Sequence, residues 1–111
     1  EMPGVSPLSV RPHVSHSYPL YVVQLDLDAL NVDRDTIFAA LRAENAGVNV
    51  HYLPVYWHPY YERLGYKRGV CPAAERAYEQ IISLPVFFGM TDEDVWDVVT
   101  AMDKVLRSIL N

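Results

Sequence analysis

Hydrophobic and polar positions alternate with a period of two in LYVVQLDL, residues 20–27, where Tyr21, Val23, Leu25 and Leu27 share one side. That period predicts a strand with one buried face. After Asp33 the spacing changes. Ile37, Phe38 and Leu41 form the apolar stripe of a helix over 34–46, with Asp33 placed to cap it and Gly47 placed to end it in the left-handed conformation. Alternation returns over 48–53, with Val48, Val50 and Tyr52 on one side and Asn49, His51 and Leu53 on the other.

The second half follows the same logic. Pro72 suits the first turn of a helix over 72–82, in which Ala74, Ala77, Tyr78 and Ile81 recur at helical spacing. LPVFFGM, residues 84–90, is bounded by Pro85 and Gly89 and reads as an extended segment. Thr91 opens the clearest helix. Asp92, Glu93 and Asp94 fill its first turn, as the helix dipole favours, and Lys104 and Arg107 come late. Val95, Val98, Val99, Met102, Val105, Leu106 and Ile109 make its apolar face. Residues 1–17 carry three prolines and no clear period, so they read as an irregular leader continuing from preceding polypeptide, with one domain over 18–111. The expected fold is α+β: a small antiparallel or mixed sheet with helices packed on one face.

Composition narrows the function. The chain has 111 residues, half of them hydrophobic, enough for one domain with one core. A net charge of −5 argues against nucleic acid as a partner. No apolar run approaches the ~20 residues that cross a bilayer, and the opening EMPGVSPLSV has no basic region followed by an apolar stretch. The single cysteine, Cys71, leaves no intrachain disulfide and suits a reducing cytoplasm, the expected location.

The unusual segment is GVNVHYLPVYWHPYYERLGY, residues 47–66, which holds five of the eight tyrosines and is broken by Pro54 and Pro59. Tyr56, Trp57, Tyr60, Tyr61 and Tyr66 offer flat faces and hydroxyls for a base or sugar ring. Arg63, Lys67 and Arg68 give a local excess of positive charge suited to a phosphate. The same residues also suit packing beneath a long loop, or an interface with another subunit. His51, opposite Val48 and Val50 by the alternation, faces solvent or a cleft. His51, His58 and Cys71, or His13 and His16, match no known ligand spacing, so no metal site is assigned. Cys71 has no identifiable base partner and reads as a plain thiol. The TDED carboxylates, residues 91–94, are explained by capping, and no glycine-rich phosphate cradle is present. No catalytic residue is assigned from the sequence.

Ordered motifs extend this reading. GVNVHYLPVYWHPYY, then CPAAERAYEQIISLP, then GMTDEDV closely resemble the C-terminal small domain of the DegT/DnrJ/EryC1/StrS sugar aminotransferases. In that family a Gly-initiated strand ends in His-Tyr, as at His51 and Tyr52, followed by prolines and tyrosines, as at Pro54, Pro59, Tyr60 and Tyr61. A Pro-x-Ala-Glu helix leads into Ser-Leu-Pro, as at Pro72, Ala74, Glu75, Ser83, Leu84 and Pro85. The match covers about residues 18–110 and is most similar to enzymes that aminate UDP-4-keto-6-deoxy-hexoses, such as those of the pseudaminic acid pathway. Two positions depart: family members often have histidine where Pro19 stands, and many have histidine where Tyr56 stands, with glutamine or histidine at His58.

The resemblance implies one part of a pyridoxal phosphate enzyme acting in surface polysaccharide or glycan biosynthesis. The cofactor, its Schiff-base lysine and its phosphate cup are expected on a missing N-terminal domain. Lys67 and Lys104 sit in no plausible cofactor setting, so this chain alone is expected neither to hold the cofactor tightly nor to transaminate. His51, Tyr52, Tyr56, Trp57, His58, Tyr60 and Arg63 are the expected contacts to a nucleotide-sugar. Glutamate is the expected amino donor, and the parent is expected to be a homodimer. The rival reading is a stand-alone α+β module using the aromatic loop, residues 52–66, to hold a ligand or a protein partner.

Overall fold

The computed structural model describes residues 2–110. A three-stranded antiparallel sheet lies at its centre, in the order β1 (Val5–Pro7), β2 (Tyr21–Leu25), β3 (Ile81–Leu84). The α+β expectation holds, and the sheet is antiparallel rather than mixed. The leader read as irregular supplies β1, an edge strand pairing Val5 with Leu25 and Pro7 with Val23. Gly4 precedes it at φ 82°, and a Cβ there would lie 2.6 Å from Leu30 Cδ2, so only glycine fits.

Strand β2 stops at Leu25, earlier than its alternation indicates. Asp26 donates its N–H to the Gly4 carbonyl and caps a short helix, α1 (Leu27–Leu30), by accepting from Ala29 N–H at 3.1 Å. Val23 and Leu25 are buried as expected, but Tyr21 is exposed and Leu27 turns into the helix.

Helix α2 (Arg34–Ala43) is capped by Asp33, which accepts from Thr36 N–H at 2.9 Å. Its end differs from expectation. Asn45, at φ 63°, takes the left-handed position, and Ala46 N–H closes back on Leu41 O at 3.0 Å; Gly47 is not the terminator. Asparagine tolerates that conformation through its short polar side chain.

The strand expected over 48–53 is not formed. A single bridge joins Asn49 to Ser83, and the chain then leaves the sheet. Val48 is wholly buried, Val50 is half-buried and Tyr52 is 69% exposed, so the expected face dissolves after two residues. The His51–Tyr52 peptide bond is cis. Pro54 follows, and the aromatic stretch folds as a 3₁₀ turn (Val55–Trp57) and the five-residue helix α3 (Pro59–Arg63).

Helix α4 (Pro72–Gln80) ends two residues early, because Ile81 and Ile82 belong to β3. The strand therefore lies before Pro85; of the segment 84–90, expected to be extended, only Leu84 is strand, and the chain turns at Phe88 and Gly89, with Gly89 at φ 84° and Met90 N–H bonded to Phe87 O at 3.2 Å. A run of apolar residues at a helix–strand junction fits both periods, and pairing of Ile82 with Val23 decides it. Helix α5 (Asp92–Leu110) begins with reciprocal bonds between Thr91 and Asp94, N–H to Oδ2 at 2.9 Å and N–H to Oγ1 at 3.1 Å. Its buried positions are Ala101, Met102, Val105 and Leu106; Val95 is 47% exposed and lies off the core.

One core joins these elements. Val23, Leu25 and Ile82 from the sheet meet Leu30, Ile37, Leu41, Val48, Met102, Val105 and Leu106. Ile82 points into it, so its neighbour Ser83 points to the other sheet face. Ser83 is 4% exposed and sits where the chain enters the aromatic segment. None of the helices among the described residues is long and apolar enough to cross a membrane.

Candidate functional site

His51 follows the lone bridge between Asn49 and Ser83. Its Nδ1 lies 2.9 Å from Ser83 Oγ, and its ring stands edge-on to Tyr52 at 4.7 Å. The ring is half-buried, which places it at the rim of the core rather than inside it. Tyr52 itself is mostly exposed.

Two residues after Pro54 the 3₁₀ turn presents Tyr56 and Trp57. Trp57 stands edge-on to Tyr78 of α4 at 5.4 Å, and the Arg68 guanidinium lies 3.8 Å from the centre of its ring. This is a cation–π contact, which suits the planar, weakly hydrated guanidinium. The Trp57 Nε1–H is buried without an acceptor among the described residues. The Tyr56 hydroxyl donates to Glu75 Oε2 and accepts from Cys71 N–H at 3.3 Å. Glu75 Oε2 also accepts the Gly69 N–H at 2.6 Å. Burial, then the bond to Glu75, pushes the Tyr56 phenol above its ordinary value. The same bond is the main reason the Glu75 carboxyl lies below the usual range, with Gly69 N–H and the Arg68 charge adding to it.

Helix α3 begins at His58, an exposed N-cap whose side chain makes no capping bond. Tyr60 and Tyr61 stand edge-on at 5.1 Å, Tyr61 meets Tyr66 at 6.1 Å, and Arg63 is exposed at the helix end. Gly65 and Gly69, at φ 99° and 98°, bracket the turn carrying Tyr66, Lys67 and Arg68.

These elements enclose an open cavity of about 360 Å³ lined by Tyr56, Trp57, Glu62, Tyr66, Lys67 and Arg68. Lys67 and Arg68 stand on its wall with Glu62, and the Glu75 carboxylate lies just behind Tyr56, so the hollow places two cations on an acidic chain. Flat rings beside cations suit a planar base or sugar that bears phosphate. Of the seven contacts expected from the sequence, Tyr56 and Trp57 line this cavity. Tyr52, His58, Tyr60 and Arg63 lie on exposed surface outside its lining, and His51 sits against Ser83.

Sequence reading missed Glu75 as part of this assembly, taking it only as one letter of a helix motif. The available signal was a carboxylate in the first turn of a helix following a Gly-bracketed basic loop. Cys71 is exposed and unpaired, and among the described residues no group of three or more His, Cys, Asp or Glu side chains is placed to hold a metal. His16 accepts the Tyr18 N–H at 2.8 Å and stacks on that ring, a local turn contact.

Comparisons with known proteins agree with this architecture. The profile of the DegT/DnrJ/EryC1/StrS aminotransferase family matches residues 1–103. The spore coat polysaccharide biosynthesis protein SpsC of Bacillus subtilis is 37% identical over 109 residues, which are 96% of this chain and 28% of SpsC. A sugar aminotransferase candidate of Streptococcus pneumoniae, Spr1654 in its PMP form, superposes with a TM-score of 0.83 at 26% identity, over 96% of this chain and 27% of that one. PseC of Helicobacter pylori, described as an aminotransferase involved in the biosynthesis of pseudoaminic acid, superposes at 0.80 with 25% identity, over 96% and 28%. The chain thus spans about a quarter of the length of the relatives it matches.

Proposed function

Because this chain belongs to the DegT/DnrJ/EryC1/StrS aminotransferase family, we propose that it is the C-terminal small domain, residues 18–111 with β1 of the leader completing its sheet, of a pyridoxal-phosphate-dependent sugar aminotransferase. Its aromatic segment is one wall of the substrate cleft. The substrate is a nucleotide-linked keto-sugar of the UDP-4-keto-6-deoxy-hexose class, and the product feeds surface polysaccharide or glycan synthesis. The observation that carries this reading is the open, ring-lined cavity with Lys67 and Arg68 on its wall. An apolar stretch used only for packing would bury its rings, whereas Tyr52, Tyr60 and Tyr66 are 69%, 60% and 48% exposed.

The cofactor supplies the amino-group transfer chemistry when bound. The lysines of this chain do not fit it. Lys104 Nζ is exposed and lies 2.8 Å from Glu44 Oε1, and Lys67 stands on an open loop. Neither has the desolvated setting that a carbonyl-reactive amine requires. The reactive lysine and the phosphate cup are therefore placed on polypeptide outside this chain, and the chain alone is inactive. What these residues do is bind and orient. Lys67 and Arg68 meet the diphosphate. Trp57 and Tyr60 pack against rings, and Tyr52, His58 and Arg63 give polar contacts at the rim. His51, fixed by Ser83, sets the direction of the segment and faces the sugar. The parent works as a cytoplasmic homodimer with glutamate as donor.

The test is kinetic. In the full-length parent, His51→Ala and Arg63→Ala raise KM for the sugar-nucleotide with folding unchanged. Unaltered KM and kcat in both variants would refute their substrate role. Mixing the 111-residue chain with pyridoxal phosphate gives no protein-bound absorbance band; a stable band would place a cofactor site here.

A further inference from the structure

The turn carrying Lys67 and Arg68 lies between two glycines at positive φ, and every residue from His58 to Ala74 is exposed. Its own backbone bonds are sparse and long, such as Tyr66 N–H to Tyr61 O at 3.2 Å and Val70 N–H to Lys67 O at 3.4 Å. A loop of this kind samples many conformations unless something outside it holds it. Two side chains do. Glu75, anchored in the first turn of α4, takes the Gly69 N–H and the Tyr56 hydroxyl on one oxygen, while that hydroxyl also accepts from Cys71 N–H. At the other end Trp57 takes the Arg68 guanidinium on its face.

We infer that Tyr56 and Glu75 are positioning residues, whose hydrogen-bonded pair locks the 66–71 turn so that Lys67 and Arg68 form a ready receptor for an oxyanion of the diphosphate class. This rests on the reading of the cavity as the sugar-nucleotide wall. The Tyr56 hydroxyl is engaged by protein groups, so its role is exerted through the loop rather than on the ligand. Pre-ordering the two cations removes an entropic cost that binding would otherwise meet.

Charge alone gives the opposite expectation. Glu75 sits close enough to Arg68 for that charge to lower its carboxyl. Removing it raises the positive potential of the cavity and, by Coulomb attraction only, tightens an anion. Positioning predicts that the anion weakens instead, so the sign of the change separates the two.

The experiment uses the ¹⁵N-labelled chain with inorganic pyrophosphate and UDP as probes. Glu75→Ala and Tyr56→Phe speed exchange of the Gly69 amide about tenfold and weaken pyrophosphate about five- to tenfold. Glu75→Gln, which keeps an acceptor oxygen, retains most of the protection. Tyr56→Phe deletes one oxygen atom and keeps the ring packing, so it tests the lock even if Glu75→Ala unfolds the chain. Unchanged Gly69 exchange in Tyr56→Phe overturns the lock. Faster exchange with equal or tighter pyrophosphate binding overturns the positioning role and leaves the substrate reading standing. An unsubstituted chain whose 66–71 amides respond to neither probe overturns both.

Discussion

Ile37, Leu41, Val48 and Ile82 are wholly buried, whereas the span from His58 to Ala74, with three of its own tyrosines, has no buried residue. The two regions are built by different means. The core closes because aliphatic side chains repeat with the period of each element and meet across one sheet face. The aromatic segment is cut by prolines and glycines that prevent a regular element, so its rings cannot share one face. It is held instead by edge-on ring pairs, one cation over a tryptophan and one shared carboxylate oxygen. Such a region contributes little to folding and leaves rings and cations available to a ligand.

The contrast can be broken from the core side with the largest effect. Leu41→Ala, at a fully buried position, costs about 2–5 kcal/mol in chemical denaturation, through lost transfer energy and the cavity left behind. Gly4→Ala costs about 1–3 kcal/mol, since it combines a positive φ with a clash against Leu30, whose side chain is itself packed in the core. Thr91→Ala removes the hydroxyl that accepts the Asp94 N–H and costs about 1 kcal/mol.

A pH titration sharpens the same division. Asp33 lies below the usual carboxylate range through the Thr36 hydroxyl, Asp94 through the Thr91 N–H, and Glu75 through the Tyr56 hydroxyl. Because the folded values are lower than the unfolded ones, the stabilisation is present above the unfolded values and is lost as pH falls through the folded ones. The melting temperature is therefore flat near neutrality and declines below about pH 4. Tyr56→Phe diminishes that decline, because it raises Glu75 back toward its ordinary value. The smallest stability effect belongs to the loop. Tyr60→Ala, at a position 60% exposed, changes unfolding by less than about 0.5 kcal/mol while weakening UDP binding.

Sequence reading succeeded where one physical signal dominates. Asp33 and Thr91 were legible as caps because their side chains act within three residues. Val23, Leu41 and Met102 were legible as core because their spacing repeats. It failed where a distant partner decides. Pro7 and Val5 become strand only because β2 offers an edge, and Ile81 leaves its helix because Gln24 pairs with it. A local choice was missed as well: Asn45 rather than Gly47 ended α2, because the closing bond from Ala46 N–H to Leu41 O fixes the position two residues earlier. In the candidate site the aromatic and basic residue types were evident. Their division into Tyr56 and Trp57 on the cavity, His51 on Ser83, and Tyr60 and Arg63 on open surface depends on how the chain turns after Pro54.

The most direct test of the ligand-wall claim is to titrate the ¹⁵N-labelled chain with UDP and map the amide shifts. Saturable changes concentrate on Tyr56, Trp57, Glu62 and Tyr66 to Arg68, with the core amides of α2 and α5 still. Changes confined to a different hollow, such as that between Glu44, Asp97 and Lys104, or no saturable change at all, would contradict it.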